Sequence, residues 1–474
     1  MARRRSGPGR AAVVVVAAIV WIAAVLLATG VLSGCAGPSA GGDAPRPATR
    51  PAGEAPRPPQ TSKPPAPAAP GGPLRISPAW RDARDIRVGL SAGATRYLLS
   101  GSKAWTLETQ SGKPIASGGA GDRIQISRLG VGPIEVFREG EMAPLWSGAP
   151  SETLLLAAGS SGMGGWSGRW YRGTFRVHAS GGEGLTLVNV LDLESYLRGV
   201  LPSEIGNPPA DQYAAVKAQA VAARSYTLSY IGRRAELGFD LWATVEDQVY
   251  EGTKRENEQS DRALRETHGE ILLAGGLPVR ALYSSTCGGR TSNVEDVWPW
   301  PWTSYLRSVR DAREGIGDAE GAYCDRSSTY RWREEWSVAD FLETVRKFGP
   351  LEGASVMTLR GDLLDARVRS RSRCGRVAEL VIETTSGETV LRGDRIRWAL
   401  RRPGTAAAIL RSSFLKIGVA RDSRGRPERV VVTGAGNGHG IGLCQHGAMG
   451  MAREGVGYRD ILRHYYKGSI LATR

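Results

Sequence analysis

Acidic residues and cysteines are scarce in this 474-residue chain. Lysine and arginine number 62 against 47 aspartates and glutamates, which leaves a formal net charge of +15. Such a surface favours anionic partners, namely nucleic acid, acidic lipid headgroups or an anionic wall polymer. The sequence carries no nucleic-acid recognition motif, so we expect no nucleic-acid partner. No nucleophile motif surrounds any of the five cysteines, which argues against catalysis by a thiolate.

The N-terminus has the pattern of an export signal. Arginines at positions 3–5 precede an apolar run from about residue 11 to 31. The run ends in the string LSGC at residues 32–35, which resembles the bacterial lipobox, so we expect Cys35 to be lipidated. A plain transmembrane anchor is the alternative, because the run approaches spanning length. Both interpretations place the remaining chain outside the cytoplasm. Since no Asp follows Cys35, we expect a lipid-anchored protein facing the periplasm, at the outer membrane.

Three regions are predicted after the signal peptide of residues 1–35. Residues 36–75 are rich in Pro and Ala and have no apolar period, which predicts a disordered linker. Residues 76–165 alternate short apolar runs with turn residues and predict a small β-rich module. Residues 166–474 mix strand and helix patterns and predict an α+β domain.

Two helices are predicted early in that domain. Apolar residues from 193 to 200 recur at helical spacing after Asp192, which is placed to cap a helix ending near Pro202. An Ala-rich helix should begin after Pro209 and run to about Tyr230.

Six blocks in the last two thirds of the chain occur in the order found in one known family. They are 193–204 (LESYLRGVLPSE), 217–226 (KAQAVAARSY), 247–252 (DQVYEG), 283–291 (YSSTCGGRT), 436–448 (GNGHGIGLCQHGA) and 458–468 (YRDILRHYYKG). In these blocks the chain resembles the stage II sporulation protein D (SpoIID/LytB) family. The resemblance implies a mixed α/β fold, a periplasmic or wall location and a peptidoglycan substrate. Some members of that family resemble lytic transglycosylases, and others are described as enhancers of a cell-wall amidase.

Glu204 is the candidate catalytic acid. Lytic transglycosylation needs one acid/base, which protonates the leaving oxygen and then helps the sugar's C6 hydroxyl attack the anomeric carbon, whereas hydrolysis usually needs two carboxylates. The family motif implies the catalytic role for Glu204, which we expect in a short loop between the two helices. A partly apolar pocket must keep it protonated near neutral pH. Glu194 is the rival, but it lies in the first turn of its helix, where a negative charge suits the helix dipole.

Other residues of the blocks are candidates for substrate binding. Lys217 and Arg224 share a helix face and could bind carboxylates or acetyl groups, or form a solvated or salt-bridged face. Glycines around His439 let the backbone approach a strand or a ligand, and His439 could bind substrate, ligate a metal or be structural. The full set of binding candidates is Lys217, Gln219, Arg224, Tyr226, Ser284, Ser285, Gly288, Gly289, His439 and Gln445.

The four cysteines beyond Cys35 leave two interpretations open. Cys287, Cys324 and Cys444, with a histidine such as His446, would make a closed tetrahedral zinc site. The resemblance supports this, because some family members bind zinc near the Ser-Gly-Gly segment. A disulfide between two of the three is the alternative that an oxidising compartment favours. Cys374 stands apart and is predicted to be a free buried thiol.

Two functions follow as hypotheses. The first is a lytic transglycosylase that cuts peptidoglycan glycan strands and needs no cofactor for its chemistry, with a structural zinc at most. The second is a non-catalytic peptidoglycan-binding enhancer of a cell-wall amidase. Retention of an acid at Glu204 favours the enzyme.

Overall fold

The computed structural model describes residues 76–313, 321–405 and 408–474. Cys35, the export signal and the predicted linker of residues 36–75 lie outside these residues. In the described part of the chain no helix is long and apolar enough to cross a membrane.

The described residues form strands and helices in a mixed α+β arrangement, which confirms the predicted fold class. The helices are α1 Leu193–Ile205, α2 Tyr213–Ser229, α3 Glu258–Glu266, α4 Val338–Phe348, α5 Arg395–Ala399, α6 Gln445–Arg453 and α7 Tyr458–Tyr465. The strands are β1 Asp85–Ala94, β2 Arg96–Gly101, β3 Trp105–Thr109, β4 Pro114–Gly118, β5 Arg123–Ser127, β6 Ile134–Arg138, β7 Trp146–Gly148, β8 Thr153–Ala158, β9 Gly164–Trp166, β10 Arg169–Tyr171, β11 Thr174–Ala179, β12 Leu185–Asp192, β13 Leu241–Trp242, β14 Glu270–Ala274, β15 Leu277–Pro278, β16 Tyr283–Ser284, β17 Arg331–Ser337, β18 Leu363–Arg371, β19 Val377–Thr384, β20 Gly387–Arg392, β21 Leu415–Arg421, β22 Pro427–Ala435, β23 Leu443–Cys444 and β24 Ile470–Thr473.

The β-rich N-terminal region shares a sheet with the strands that follow it. The order of this seven-stranded sheet is β13-β1-β12-β11-β8-β3-β4. Strand β1 pairs antiparallel with β12, so that Asp85 lies opposite Asp192, and β8 pairs with β11. The boundary predicted between residues 165 and 166 therefore runs through one sheet.

Two hydrophobic cores hold the described residues together. The first extends from Trp80 to Tyr466 and includes the N-terminal sheets together with α1, α2, α6 and α7. The second lies between Trp336 and Val432 and is built on α4, α5 and strands β17 to β22. The region predicted as one domain, 166–474, thus contains a second core that the sequence pattern did not separate.

Helix α1 extends further than predicted. Asp192 caps it as expected, accepting from the Ser195 N–H at 2.9 Å. The predicted end at Pro202 is wrong, because the helix runs through Pro202 to Ile205 and ends at Gly206, whose φ is +73°. Leu201, Pro202 and Ile205 are all buried, and this packing outweighs the unfavourable proline. Glu204 consequently lies in the last helical turn and not in a loop.

Helix α2 is close to its prediction. A short 3₁₀ turn follows Pro209, and the α-helix runs to Ser229. Its many alanines are fully buried, which lets α1, α3, α6 and strand β14 pack closely around it. This central helix fixes the end of α1 that carries Glu204.

Candidate active site

A cleft of about 1320 Å³ lies beside the end of α1. It is lined by residues of the first core and by residues 351–411, which lie around the second core. Among the predicted site residues, the cleft is lined by Glu204, Tyr226, Ser284, Ser285 and His439. Glu204 and His439 are 235 positions apart in the sequence, and the fold brings both to one cleft. The order of the motif blocks alone does not show this proximity.

Glu204 is half-buried at the base of the cleft. Its Oε1 accepts a hydrogen bond from the Val249 N–H at 2.8 Å. Tyr196 and Tyr283 lie within electrostatic range of the carboxylate. Burial raises the pKa of Glu204 to about 7, although the Val249 hydrogen bond acts in the opposite direction. The group can therefore donate a proton and take one back near neutral pH.

The glycine-rich loop before α6 places His439 in the cleft. Gly438 has a φ of +109°, and a Cβ built on it would lie 2.7 Å from the Cβ of Ser284, so the close approach of this loop to β16 requires glycine. The ring of His439 packs against Trp298 at a tilt of 44°, with ring centroids 4.9 Å apart, and its Nδ1 accepts from the Ile441 N–H at 3.0 Å. Burial lowers the pKa of His439 to about 4, so its ring is neutral at pH 7.

Aromatic and hydroxyl groups line the cleft near Glu204. Tyr226 stacks on Tyr230 with ring centroids 4.3 Å apart, and its hydroxyl lies 3.5 Å from Asp247 Oδ1. The buried Ser284 Oγ has no hydrogen-bond partner among the described residues. Aromatic faces beside a few polar groups are typical of a ligand-binding site.

Six predicted binding residues do not line the cleft, and three of these lie on α2. Arg224 is buried and donates from Nε and Nη2 to the two carboxylate oxygens of Glu194 at 2.7 and 2.9 Å. Lys217 pairs with Glu266 at 3.3 Å. Gln219 is fully buried on α2. The salt-bridged alternative for Lys217 and Arg224 fits this geometry, and Glu194 is part of it.

Gln445 and the glycine pair lie next to the cleft without lining it. Gln445 Nε2 donates to the backbone carbonyl of Glu204 at 3.1 Å, so this residue contacts the backbone of the candidate acid and not its carboxyl group. Gly288 and Gly289 belong to the surroundings of Cys287, whose Sγ accepts from the Gly289 N–H at 3.4 Å.

A cluster of metal-binding side chains is buried near the cleft. Candidate ligand atoms of Cys287, Asp311, Cys324 and Cys444 all lie within 4.8 Å of one another. The parallel pairing of β16 with β23 brings Cys287 near Cys444. Two backbone hydrogen bonds of 3.0 Å place Asp311 and Cys324 beside this pair. The Asp311 N–H donates to the Gly289 carbonyl, and the N–H of Tyr323, which precedes Cys324, donates to the Asp311 carbonyl.

The cluster has the dimensions and chemistry of a closed zinc site. The sulfurs of Cys287 and Cys324 are 3.7 Å apart, close to the ~3.8 Å edge of a tetrahedron with Zn–S bonds of ~2.3 Å. All the cysteines of the described residues are free thiols, so no disulfide joins them there. Thiolate sulfur and carboxylate oxygen are both ligands of Zn²⁺, and a cation among these four buried groups would stabilise their anionic forms. The Asp311 carboxylate also accepts from the Tyr465 hydroxyl at 2.5 Å, which orients it.

The cluster differs from the predicted ligand set at one position. His446 is not a member, since its Nδ1 lies 3.0 Å from the Ser285 carbonyl and 3.3 Å from Thr286 Oγ1. Asp311 takes the fourth position, and no pattern in its sequence context marked it. Cys374 is buried and contacts Ser372 Oγ at 3.0 Å outside the cluster.

The comparison with known families agrees with the motif blocks. Residues 181–273 match the family model described as stage II sporulation protein, SpoIID. This segment of the chain is therefore a SpoIID domain. Residues 292–442 match a second model, described as a domain of unknown function, DUF8618. That range contains the whole second core.

Named relatives are similar to this chain over about 60% of its length. An uncharacterised protein of Brachyspira hyodysenteriae is 29% identical over 286 residues, which are 60% of this chain and 67% of that protein. Stage II sporulation protein D of Bacillus subtilis is 28% identical over 298 residues, which are 60% of this chain and 75% of that protein. The amidase enhancer of Bacillus subtilis is 26% identical over 302 residues, 58% of this chain but only 40% of that protein.

Proposed function

We propose that this protein is a lytic transglycosylase that cleaves peptidoglycan glycan strands with Glu204 as its single acid/base. The observation that carries the proposal is the Glu204 carboxyl, whose pKa burial raises to about 7 and which lines a cleft large enough for several sugar rings. The names of its Bacillus relatives refer to sporulation and to an amidase, which is consistent with a role at the cell wall.

The proposed reaction uses one carboxyl group twice. Protonated Glu204 donates its proton to the glycosidic oxygen as the bond from the anomeric carbon breaks. The resulting carboxylate then takes the proton of the C6 hydroxyl as that oxygen attacks the anomeric carbon, which closes a 1,6-anhydro ring and restores the acid. The Val249 N–H stabilises the carboxylate between the two steps.

A second catalytic carboxylate is not required, and the nearby Asp247 is a poor candidate for one. Its oxygens accept from Arg234 Nη1 at 2.6 Å and from the Trp242 N–H at 2.8 Å, and Arg233 lies 3.4 Å away. Its side chain is fully buried, so these partners hold it in a structural role. With Asp247 held in this way, Glu204 is the candidate acid, and one acid/base is enough for transglycosylation, whereas hydrolysis usually needs two carboxylates.

The proposal is tested with the Glu204→Gln variant on purified glycan. The variant keeps the side-chain shape, so it should fold and bind glycan, and 1,6-anhydro product should fall by about 10²–10⁴-fold. Glu295→Gln is the matched control, because Glu295 also lines the cleft but pairs with Arg307. Mass analysis of products from intact and amidase-treated peptidoglycan measures the effect. Undiminished cleavage by Glu204→Gln would show that another group is the acid.

The second candidate function is enhancement of a cell-wall amidase, and the similarity to the Bacillus subtilis amidase enhancer favours it. In that case the cleft would bind glycan without cutting it. Wild-type protein that makes no anhydro product from any glycan, but stimulates an amidase on the same substrate, would select this function.

We also propose that zinc occupies the cluster of Cys287, Asp311, Cys324 and Cys444 in a structural role. Bound there, the ion would connect Cys287 in the loop after β16, Asp311 and Cys324 to Cys444 of β23, which leads into α6. Membrane attachment through a lipidated Cys35 remains our proposal for localisation, with the outer membrane as the expected site. Cys35→Ala should then release the protein from the membrane fraction, and retention of the variant there would indicate a transmembrane anchor.

A further inference from the structure

The two walls of the cleft differ in charge. The lining residues of the first core include five acids and two arginines, namely Glu204, Glu246, Asp247, Glu295 and Asp296 with Arg233 and Arg234. The lining residues from 351 to 411, which surround the second core, include six arginines and two acids. We call these six the arginine wall: Arg392, Arg395, Arg397, Arg401, Arg402 and Arg411. An anionic substituent on a strand in the cleft would favour the arginine wall.

Ion pairs neutralise part of the arginine wall. Arg397 Nη1 donates to Asp394 at 2.9 Å, and Arg392 Nε donates to Glu379 at 3.0 Å. Each of these pairs joins one arginine to one carboxylate, so the net charge of each pair is close to zero.

Arg402 and Arg411 are arranged differently. Both donate through Nε to one oxygen, Oε1 of Glu334, at 2.9 and 3.2 Å. One carboxylate therefore pairs with two guanidiniums, so the group of Glu334, Arg402 and Arg411 has a net charge of one positive unit. Glu334 is largely buried, whereas the two arginine side chains keep 32% and 24% of their surface exposed.

The free ends of these two guanidiniums match the chemistry of a carboxylate ligand. Nε of each is bound to Glu334, and the Nη groups have no hydrogen-bond partner among the described residues. Such Nη donors form the planar fork that binds carboxylates. Arg411 is also connected to the family motif, since its carbonyl accepts from the Gly438 N–H at 2.8 Å. The pair is thereby anchored next to the loop that places His439 in the cleft.

We propose that Arg402 and Arg411, held by Glu334, form a carboxylate-binding site through which the second core selects glycan strands for cleavage. The inference rests on the proposed function, because it takes the glycan strand as the ligand. Two sources supply the carboxylate on such a strand. One is the lactyl group of muramic acid after the peptide has been removed, and the other is the stem peptide itself.

The test measures binding and not cleavage, using the full-length protein with Glu204→Gln to prevent turnover. The probes are amidase-treated glycan strands and intact strands. Each is used in its native form and after carbodiimide amidation of its carboxyl groups, and a neutral chitooligosaccharide is the fifth probe. We expect at least one carboxylate-bearing strand to bind about tenfold or more tightly than its amidated form. Preference for the amidase-treated strand assigns the lactyl source, and preference for the intact strand assigns the stem peptide.

Variants then locate the site. Arg402→Gln with Arg411→Gln should abolish the preference for carboxylates and leave chitooligosaccharide binding unchanged. Arg411→Lys should keep part of the preference, because lysine retains the charge without the fork. Arg392→Gln is the matched control from the arginine wall, and this variant should keep the full preference for carboxylate-bearing strands.

Two results would overturn the proposal. One is equal binding of native and amidated strands, and the other is a carboxylate preference that persists in the double variant with its fold confirmed by circular dichroism. Failure of the proposed function is a separate outcome, in which wild-type protein binds carboxylate-bearing strands selectively but releases no anhydro product.

Discussion

The side-chain amide of Gln445 donates to the backbone carbonyl of Glu204 at 3.1 Å, across 241 positions of sequence. Gln445 is the first residue of α6, and Glu204 belongs to the last turn of α1, where helix carbonyls lack partners within the helix. The contact therefore gives a carbonyl at the end of α1 a hydrogen-bond partner, and it links the motif block of residues 436–448 to the candidate acid. Gln445 acts as a positioning residue in this arrangement, since it does not line the cleft.

Gln445→Met should reduce turnover more than substrate binding. Methionine has a similar size but cannot donate the hydrogen bond, so the end of α1 loses one constraint on Glu204. A small displacement of an acid from its leaving group lowers the rate by about 10- to 100-fold. We expect kcat to fall by this amount with KM nearly unchanged, measured as anhydro-product formation over a range of glycan concentrations. Equal loss of thermal stability and activity, restored by lowering the temperature, would instead indicate a purely structural contact.

The pKa of Glu204 also predicts a pH-dependent stability. The ordinary value of 4.5 applies to the unfolded chain, and the folded value is about 7. Between these values the folded state holds a proton that the unfolded state releases, so the free energy of unfolding falls as pH rises through this window. The loss is at most about 3 kcal/mol. Glu204→Gln carries no such proton, so the variant should gain stability relative to wild type between pH 5 and pH 8 in denaturant titrations. A difference that does not change with pH would contradict the assigned pKa.

The zinc proposal predicts a metal content that depends on Asp311. Protein purified without chelators should contain one zinc per chain by elemental analysis, and removing the zinc should lower the melting temperature. Asp311→Asn should weaken zinc retention because a neutral amide replaces the carboxylate. Cys374→Ser is the control and should retain full zinc, since this thiol lies outside the cluster. Full occupancy in Asp311→Asn would exclude the carboxylate as a ligand.

Sequence reasoning named Glu204 as the candidate acid but did not predict its structural surroundings. The family blocks identified Glu204, and the Ala-rich pattern located α2, because both signals are local. The end of α1 was misplaced because a proline usually interrupts a helix, and only tertiary burial of Leu201 and Ile205 shows why this one continues. Asp311 reaches the cysteine cluster through loop hydrogen bonds that leave no periodic signal.

The second core was missed for a related reason. Its strands alternate like those before them, so the pattern does not show that they pack around Trp336 and Ile382 instead of joining the first core. The opposite charges of the two cleft walls follow from that packing. They could not be assigned while residues 166–474 were treated as one domain.

The ion pair between Glu194 and Arg224 gives a final prediction, which separates stability from catalysis. Arg224 is 1% exposed, and it also donates from Nη1 to the Glu270 carbonyl at 3.0 Å. Glu194→Gln would leave this buried guanidinium without its counter-charge, so we expect a loss of about 2–4 kcal/mol in the free energy of unfolding. Lys217→Met, which breaks the more exposed pair with Glu266 on the same helix, should cost less than about 1 kcal/mol. Neither residue lines the cleft, so cleavage per folded molecule should stay close to wild type in both variants. Loss of cleavage in Glu194→Gln at a temperature where the protein is fully folded would instead return Glu194 to the list of candidate acids.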